Sequence, residues 1–285
     1  MPVHYELDKR STHRTGKTLT IHATQFVRRM RGGAQSSLLL CNDGYAYVVK
    51  FQNNPQHVRV LANEWLATKI AESIGLSVPP CEIVHVDNAL IARTADLVIA
   101  RGHSTEPCQA GLQFGSRLVG GLFPGQTVDY LPEKLLTTLN NLHELGGFLA
   151  FDKWACNADG RQAIFYKERR EKTYKAAFID QGYCFNAESW KFTDAPLRGV
   201  YARSSVYREV TGWQSFEPWL TRLEELPIEH IWNLAKRIPQ EWYDGHDRDL
   251  TMLVETLDKR RPRIRELITD FRRSTRQPFP LWREN

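Results

Sequence analysis

A glycine-rich turn, a lysine and a glutamate follow one another in an order that suits phosphate chemistry. The turn is RGGAQSS at residues 31–37, between two stretches that are predicted to be strands. Glycine lets backbone N–H groups approach phosphate oxygens closely and form a concave anion site. Lys50 ends the strand-like YVVKF and would add a fixed positive charge, which Glu64 on the next predicted helix would hold in place. This order predicts a site for a phosphorylated ligand.

A carboxylate stands at a second position where chemistry is expected, in AAFIDQGYCF at residues 176–185. A small and apolar run leads into Asp180, and Gly182 follows two places later. Taken alone, the pattern is typical of any strand that ends in a turn. A carboxylate at this point could instead bind a metal ion, and the other motifs of the chain decide between the two interpretations.

Five segments resemble, in order, the motifs of the HipA-like kinase family. They are RGGAQSSLLL, YVVKF, NEWLATKIAESIGLSVP, NADGRQ and FIDQG, and they extend from about residue 25 to about residue 185. In that family they correspond to a Gly-Ala-Gln phosphate loop, a strand lysine, an Asn-Glu helix, an Asn-x-Asp catalytic loop and a metal-binding aspartate. The resemblance implies an α+β, two-lobed protein-kinase-like fold with a β-rich N-lobe and a mainly helical C-lobe.

For the nucleotide, the resemblance implies ATP bound between the lobes. Phe114 and Gly115, in LQFGS, would lie near the hinge that receives adenine. Two serines of the loop also occupy a position where self-phosphorylation would block it. The implied residues around the phosphates, these serines included, are Gly32, Gly33, Gln35, Ser36, Ser37, Lys50 and Glu64.

For the reaction, the resemblance implies transfer of the γ-phosphoryl group of ATP to a Ser or Thr hydroxyl of a protein. Asp159 would orient the acceptor hydroxyl and accept its proton, and Asp180 would bind Mg²⁺. Phosphoryl transfer depends on positioning and on neutralising the triphosphate, which lysine, amides and carboxylate-held Mg²⁺ achieve together. Relatives in toxin–antitoxin systems modify translation factors and are restrained by a DNA-binding antitoxin, so the resemblance permits a translation factor as substrate and an antitoxin as partner.

One position departs from the family pattern. An asparagine is expected five residues after the catalytic aspartate as a second metal ligand, but Ile164 stands there. Gln162 could fill this role if the loop is shorter, and Asn157 could reach from the other side. Alternatively, Asp152 and Asn157 have the five-residue spacing of ordinary protein kinases, which would move the base upstream. We favour Asp159, because Asn157 and Asp159 match Asn-x-Asp directly before a predicted hairpin strand.

Two other classes of function are compatible with the sequence. A nucleotide-binding pseudokinase that acts as a scaffold would explain Ile164. Nucleic-acid binding would use the arginines of DKRRPRIRELITDFRRSTR, near the C-terminus. These arginines are mixed with Glu266 and Asp270, and no recognition motif accompanies them, so direct nucleic-acid binding is the least favoured.

The elements that must position these residues follow from hydrophobic periodicity. The pattern of residues 20–51 predicts three strands, with a hairpin turn at 42–44. The helical periodicity that follows predicts a helix that ends at Gly75. Leucines between Leu131 and Leu149 predict one long helix. A hairpin formed by QAIFYKE and TYKAAFID and two closing helices complete the chain. The predicted units are a tail at 1–18, an N-lobe at 19–118 and a C-lobe at 119–285.

Composition excludes several other classes of protein. The chain has 285 residues, of which 42% are hydrophobic, so it can bury an ordinary core. Its apolar runs are far shorter than the roughly 18 residues needed to span a bilayer, and its N-terminus is too polar for a secretory signal, which predicts the cytoplasm. The five cysteines form no C-x-x-C pair, and the net charge of +5 is compatible with an anionic ligand.

Overall fold

The computed structural model describes residues 20–121, 126–167 and 171–283 of the chain. The predicted N-terminal tail, residues 1–18, lies outside the described residues. The first part of the described chain is rich in strands and the second part is mainly helical. This arrangement confirms the predicted α+β fold.

Five strands of the N-terminal part close into a barrel in the order β1-β2-β3-β7-β4. The β1–β4 pair is parallel and the other pairs are antiparallel. The three strands expected between residues 20 and 51 are confirmed. The barrel strands are β1 (Ile21–Arg29), β2 (Ser37–Cys41), β3 (Ala46–Lys50), β4 (Cys81–Val86) and β7 (Gly111–Arg117).

A short helix and a hairpin lie between β4 and β7. They are α2 (Asn88–Ala92), β5 (Val98–Arg101) and β6 (Ser104–Pro107). Leu90 and Ile99, from this insertion, are buried in one hydrophobic cluster with barrel residues such as Val49. The insertion therefore extends the barrel core.

Helix α1 (Arg59–Ser73) connects β3 to β4. It ends as expected at Gly75: the Gly75 N–H bonds to the carbonyl of Glu72, and the Leu76 N–H bonds to that of Ala71. The helix is buried along most of its length, and its apolar side chains belong to the core of the C-terminal part and not to that of the barrel. Helix α1 thus forms one packed body with the second half of the chain.

A small antiparallel sheet opens the C-terminal part, in the order β10-β9-β8. It contains the expected hairpin, whose strands are β9 (Gln162–Tyr166) and β10 (Lys175–Ile179), and β8 (Thr127–Val128) pairs with β9. The two expected closing helices are also present. The helices of this part are α3 (Glu133–Leu136), α4 (Glu144–Trp154), α5 (Trp219–Glu224), α6 (Ile228–Ala235), α7 (Asp247–Arg260) and α8 (Ile264–Arg272).

The prediction of one long helix between residues 131 and 149 is wrong, because the structure has two helices, α3 and α4, with a turn between them. In that turn the Asn141 side chain accepts the Ala176 N–H at 2.9 Å and donates to the Ala176 carbonyl at 3.0 Å. The Asn140 N–H bonds to the Tyr174 carbonyl. Asparagine competes with helical backbone bonding in this way. Leucine periodicity does not reveal this break, because Leu136 of α3 and Leu145 and Leu149 of α4 are buried in the same core.

Arginines of the basic stretch near the C-terminus form ion pairs with carboxylates of the same chain. Arg260 is buried and contacts Asp194 at 2.5 Å, and Arg263 contacts the same carboxylate at 3.1 Å. Arg265 pairs with Glu224 at 2.7 Å. These side chains join α7 and α8 to neighbouring segments. Within the described ranges, no helix is both long enough and apolar enough to cross a membrane.

Candidate active site

Three charged side chains from distant parts of the chain meet between the barrel and α1. Lys50 ends β3, Glu64 lies in the middle of α1, and Asp180 follows β10. The Lys50 ammonium contacts Glu64 Oε1 and donates to Asp180 Oδ1 at 2.6 Å. The Lys50 and Glu64 side chains are buried, whereas the Asp180 side chain is 29% exposed. Asp180 is therefore the most exposed member of the trio.

The charged groups of the trio shift one another's pKa values. Burial alone would lower the pKa of Lys50, but the carboxylates of Glu64 and Asp180 reverse this effect and raise it above its ordinary value. The Lys50 ammonium in turn holds the pKa of Asp180 below its ordinary value. Lys50 thus remains a cation and Asp180 an anion at neutral pH.

The turn after β10 has an unusual backbone that α1 stabilises. Asp180 has a φ of +64°, a left-handed conformation that costs free energy for a residue with a side chain. The next N–H, of Gln181, donates to Glu64 Oε2 at 3.1 Å. A Cβ atom at Gly182 would lie 2.6 Å from Val60 Cγ1 and 3.1 Å from Glu64 Oε1. Only glycine allows α1 and the turn to approach this closely.

The change Gly182→Ala tests this close approach. The added methyl group pushes against Val60 and Glu64, so we expect the free energy of unfolding to fall by about 1–3 kcal/mol. Displacement of Glu64 weakens the anchor of Lys50, so the affinity for ATP, the ligand expected from the sequence, should fall by roughly tenfold, or about 1.4 kcal/mol. Denaturant unfolding and calorimetry measure the two effects. Gly212→Ala is the control, since a Cβ there meets nothing within 4 Å. Equal behaviour of the two variants would contradict the proposed packing.

The loop after α4 is organised around a buried ion pair. Arg161 donates through Nε to Asp152 Oδ2 at 2.8 Å and through Nη2 to Oδ1 at 2.5 Å. Its third contact, from Nη1 to the Ile179 carbonyl at 2.9 Å, connects the loop to the strand that precedes Asp180. Asn157 donates to Asp152 Oδ1 at 3.0 Å and accepts the Asp159 N–H at 3.0 Å. Asp152, Asn157 and Arg161 are all buried and fix the shape of the loop.

Asp159 differs from Asp152 because it is exposed. Its Oδ1 accepts the Gly160 N–H at 2.7 Å, and its Oδ2 lies 3.4 Å from Gln162 Nε2. A general base must reach an incoming hydroxyl group, and a buried carboxylate that is neutralised by an arginine cannot. The geometry therefore favours Asp159 over Asp152 for that role. Both polar groups of the Asn157 side chain are hydrogen-bonded within the loop.

The change Asp152→Ala separates these two aspartates. Loss of the carboxylate leaves Arg161 as an unpaired buried cation, so we expect the free energy of unfolding to fall by about 3–5 kcal/mol. Asp96→Ala, at an exposed position, should leave stability within about 0.5 kcal/mol. Chemical denaturation measures both. An Asp152→Ala protein with unchanged stability and no catalytic activity would identify Asp152 as the base.

The strand register places Gln162 nearer than Ile164 to the turn at Asp180. Gln162 begins β9 and pairs with Ile179, the residue directly before Asp180. Ile164, two residues later, pairs with Ala177 and lies farther from the turn. Gln162 contacts Asp159, with its Nε2 at 3.4 Å from Asp159 Oδ2. Its amide oxygen is a ligand type that Mg²⁺ accepts.

The glycine-rich turn joins β1 to β2, and Gln35 holds it against β5. The Gln35 Nε2 donates to the Ala100 carbonyl at 2.9 Å, and its Oε1 accepts the Ala100 N–H at 2.8 Å. The Gln35 side chain thus fixes the shape of the turn. Ser36 and Ser37 are buried, so their phosphorylation would require the turn to open. Gly32, at the start of the turn, has a φ of +120°, which favours glycine.

Phe114 and Gly115 lie inside β7, just before the segment that connects to the C-terminal part. Phe114 pairs with Lys50 and is buried against α1 and the C-terminal core. Gly115 pairs with Val49 in the barrel. A cavity of about 790 Å³ lies beside the connecting segment, lined by residues such as Val119 and Tyr174. Lys50 and Asp180 do not line it, so it is separate from the charged trio.

Sequence reasoning missed three residues of this site. Arg161 and Gly182 stand within the matched segments NADGRQ and FIDQG, and Asn63 stands next to Glu64. An arginine beside an Asn-x-Asp motif indicates that it forms an ion pair with a carboxylate. Only the fold reveals that this carboxylate is Asp152. Asn63 is fully buried and bonds to the carbonyls of Gly182 and Ala187.

A family model described as HipA-like kinase matches residues 23–273 of the chain. No curated protein matches the chain at a significant level.

Solved structures of kinases have a similar fold. The Helicobacter pylori proinflammatory kinase CtkA is 13% identical, with a TM-score of 0.50 over 86% of this chain and 98% of its own. Hydra Fam20 with sugar is 10% identical, with a TM-score of 0.53 over 91% of this chain and 87% of its own. The Golgi casein kinase with Mn and ADP bound is 10% identical, with a TM-score of 0.50 over 90% and 73%. At these identities the likeness shows a shared fold.

Proposed function

The chain belongs to the HipA-like kinase family, and from this premise we propose that it is a protein kinase that uses ATP and Mg²⁺ to phosphorylate Ser or Thr residues. Family membership supports phosphotransfer as the reaction. The observation that carries the finer proposal is the position of Lys50, whose ammonium lies between Glu64 and Asp180. A buried lysine held by a helical glutamate, beside an exposed carboxylate, is the arrangement that kinases use for the nucleotide phosphates and their metal.

The donor set around Asp180 fits Mg²⁺. Mg²⁺ prefers carboxylate, amide and water oxygens, and it is commonly held by one or two carboxylates together with substrate phosphates. Asp180 offers a partly exposed carboxylate, and Gln162 an amide on the paired strand. Among the described residues, no group of three or more His, Cys, Asp or Glu side chains could hold a metal ion. When bound, Mg²⁺ would neutralise charge on the phosphates.

The residues of the chain divide the remaining tasks. Lys50 would bind phosphate oxygens, and the backbone of Gly32 and Gly33 would cover them from the β1–β2 turn. Asp159 would hold the acceptor hydroxyl in line with the γ-phosphorus and accept its proton as the new P–O bond forms and the bond to ADP breaks. The Golgi casein kinase structure, with Mn and ADP bound, supports nucleotide and divalent-cation use on this fold.

Label transfer tests the proposed activity. The purified protein is incubated with γ-³²P-labelled ATP, Mg²⁺ and a protein extract, and labelled proteins are hydrolysed for phosphoamino-acid analysis. We expect phosphoserine or phosphothreonine that disappears in Lys50→Met and persists in the surface control Lys134→Met. Label that persists in Lys50→Met would contradict the proposed role of Lys50. A protein that binds no nucleotide would contradict the proposed function.

A nucleotide-binding pseudokinase is the second candidate, and the observation that favours it is Ile164 at the family's asparagine position. Gln162 weakens this argument because it stands next to the turn that holds Asp180. The pseudokinase predicts nucleotide binding that is indifferent to Mg²⁺ and to replacement of Asp159. An antitoxin partner and a translation factor as substrate stay predictions from the family resemblance, and copurification from the native host tests them.

A further inference from the structure

Asn63 is a fully buried polar residue of α1 whose side-chain amide is hydrogen-bonded through both its nitrogen and its oxygen. Its Nδ2 donates to the Gly182 carbonyl at 2.8 Å and to the Ala187 carbonyl at 2.9 Å. Its Oδ1 accepts the Trp190 Nε1–H at 2.7 Å. An amide has two N–H donors and one carbonyl oxygen, so this set satisfies both donors and the acceptor. All three partners lie in the segment that follows Asp180.

Asn63 and Glu64 hold the turn at Asp180 from its two sides. Glu64 accepts the Gln181 N–H at 3.1 Å, and Asn63 donates to the carbonyl of the next residue, Gly182. Consecutive residues of one helix thus bind a donor and an acceptor of the same turn. The turn cannot rotate without breaking one of these bonds.

The segment beyond the turn needs such support because its backbone is unfavourable. Phe185, Asn186 and Ala187 have φ values of 62°, 61° and 58°, and Trp190 has 53°. Left-handed conformations at residues with side chains persist only where the surroundings enforce them. Asn63 bonds to two of these four residues, Ala187 through its carbonyl and Trp190 through its indole.

Helix α1 provides a fixed frame for Asn63. At its N-terminal end Arg59 contacts Asp249 of α7 at 2.5 Å. At its C-terminal end Arg222 donates to the Ile74 carbonyl at 2.7 Å and Trp219 donates to the Gly75 carbonyl at 3.3 Å. Because both ends are tied to the C-terminal part, α1 cannot shift to compensate for a lost bond at Asn63.

We infer that Asn63 is a positioning residue, which holds the Asp180 carboxylate in place for the metal ion through its bonds to Gly182, Ala187 and Trp190. This inference rests on the proposed role of Asp180. Aspartate at position 63 would have the same shape but would set a carboxylate against two carbonyl oxygens in place of two N–H donors. The repulsion would release the turn at Asp180 while leaving Lys50 and Glu64 in the chain.

Calorimetry with the non-hydrolysable analogue AMP-PNP tests the inference on wild type and Asn63→Asp. Without Mg²⁺, we expect analogue affinities within about twofold of each other. With Mg²⁺, the concentration that gives half of the maximal affinity gain should rise at least tenfold in Asn63→Asp. Asn186→Asp is the matched control, because Asn186 lies in the same segment but its Nδ2 donates to the Lys191 carbonyl and not to the turn. It should behave as wild type.

Trp190→Phe provides a second variant that does not bury a new charge. It removes the indole donor to Asn63 Oδ1 and keeps an aromatic ring for the Arg59 guanidinium, which lies 4.6 Å from the Trp190 ring centre, so we expect a rise of about two- to fivefold in the required Mg²⁺ concentration. If Asn63→Asp does not fold, the comparison of Trp190→Phe with wild type tests the inference. An unchanged Mg²⁺ requirement in the folded variants would overturn the positioning role alone. A wild type whose analogue binding ignores Mg²⁺ would overturn both this inference and the proposed role of Asp180.

Discussion

Replacement of Asp159 by asparagine should lower the rate of phosphoryl transfer by about 10²–10⁴-fold, the usual contribution of a general base. Asparagine has the same shape and keeps an oxygen for the Gly160 N–H, so the loop should keep its conformation. It cannot accept a proton from the acceptor hydroxyl at neutral pH. Nucleotide affinity should stay within about twofold, since Asp159 does not touch Lys50. Single-turnover label transfer and calorimetry measure the two quantities.

Asp96→Asn controls for the loss of one exposed negative charge and should leave the rate unchanged. The result that would sink the assignment is a rate for Asp159→Asn within threefold of wild type. A fall in nucleotide affinity that matches the fall in rate would instead show that Asp159 acts in binding. The stability of Asp159→Asn should equal that of wild type, in contrast to the loss expected for Asp152→Ala.

Local sequence patterns were sufficient to predict much of the barrel and the closing helices. The strands between residues 20 and 51, the end of α1 at Gly75 and the β9–β10 hairpin each depend on a short pattern of alternation, turn residues or capping residues. The meeting of Lys50 with Glu64 was expected from the order of motifs and not from local pattern. The end of a strand and the middle of the following helix are close in the chain, so the contact between Lys50 and Glu64 could be predicted without knowledge of the tertiary fold.

Contacts between distant segments account for what the sequence did not reveal. The Gln35 side chain pairs with Ala100, which is 65 residues away. Asn141 breaks the expected long helix because it pairs with Ala176, 35 residues later. Apolar periodicity in α1 shows that the helix has a buried face without showing which core buries it. Each of these outcomes depends on tertiary packing, which a pattern of residue types does not encode.

Replacement of Asp180 by asparagine should abolish the gain in nucleotide affinity that Mg²⁺ provides and lower the transfer rate by at least about a hundredfold. A bound metal supplies several kcal/mol of charge stabilisation to the transition state, and each 1.36 kcal/mol is a factor of ten in rate. Asparagine is a weaker metal ligand than aspartate. The change also leaves Glu64 as the one carboxylate that contacts Lys50 among the described residues. The Lys50 ammonium is then no longer held by Asp180 and should bind phosphate more tightly, so affinity without Mg²⁺ should be equal to or above that of wild type.

The control for this change is Asp244→Asn, because Asp244 is exposed and also has a left-handed backbone, with a φ of 54°. Any effect of asparagine on a left-handed turn is therefore present in both variants. Calorimetry with AMP-PNP, with and without Mg²⁺, gives four affinities whose ratios isolate the metal from the nucleotide. A Mg²⁺-dependent gain that survives in Asp180→Asn would remove Asp180 from the metal site and leave Gln162 and Asp159 to be tested in its place. A gain that is lost in Asp180→Asn and retained in Asp244→Asn would tie the metal to this carboxylate.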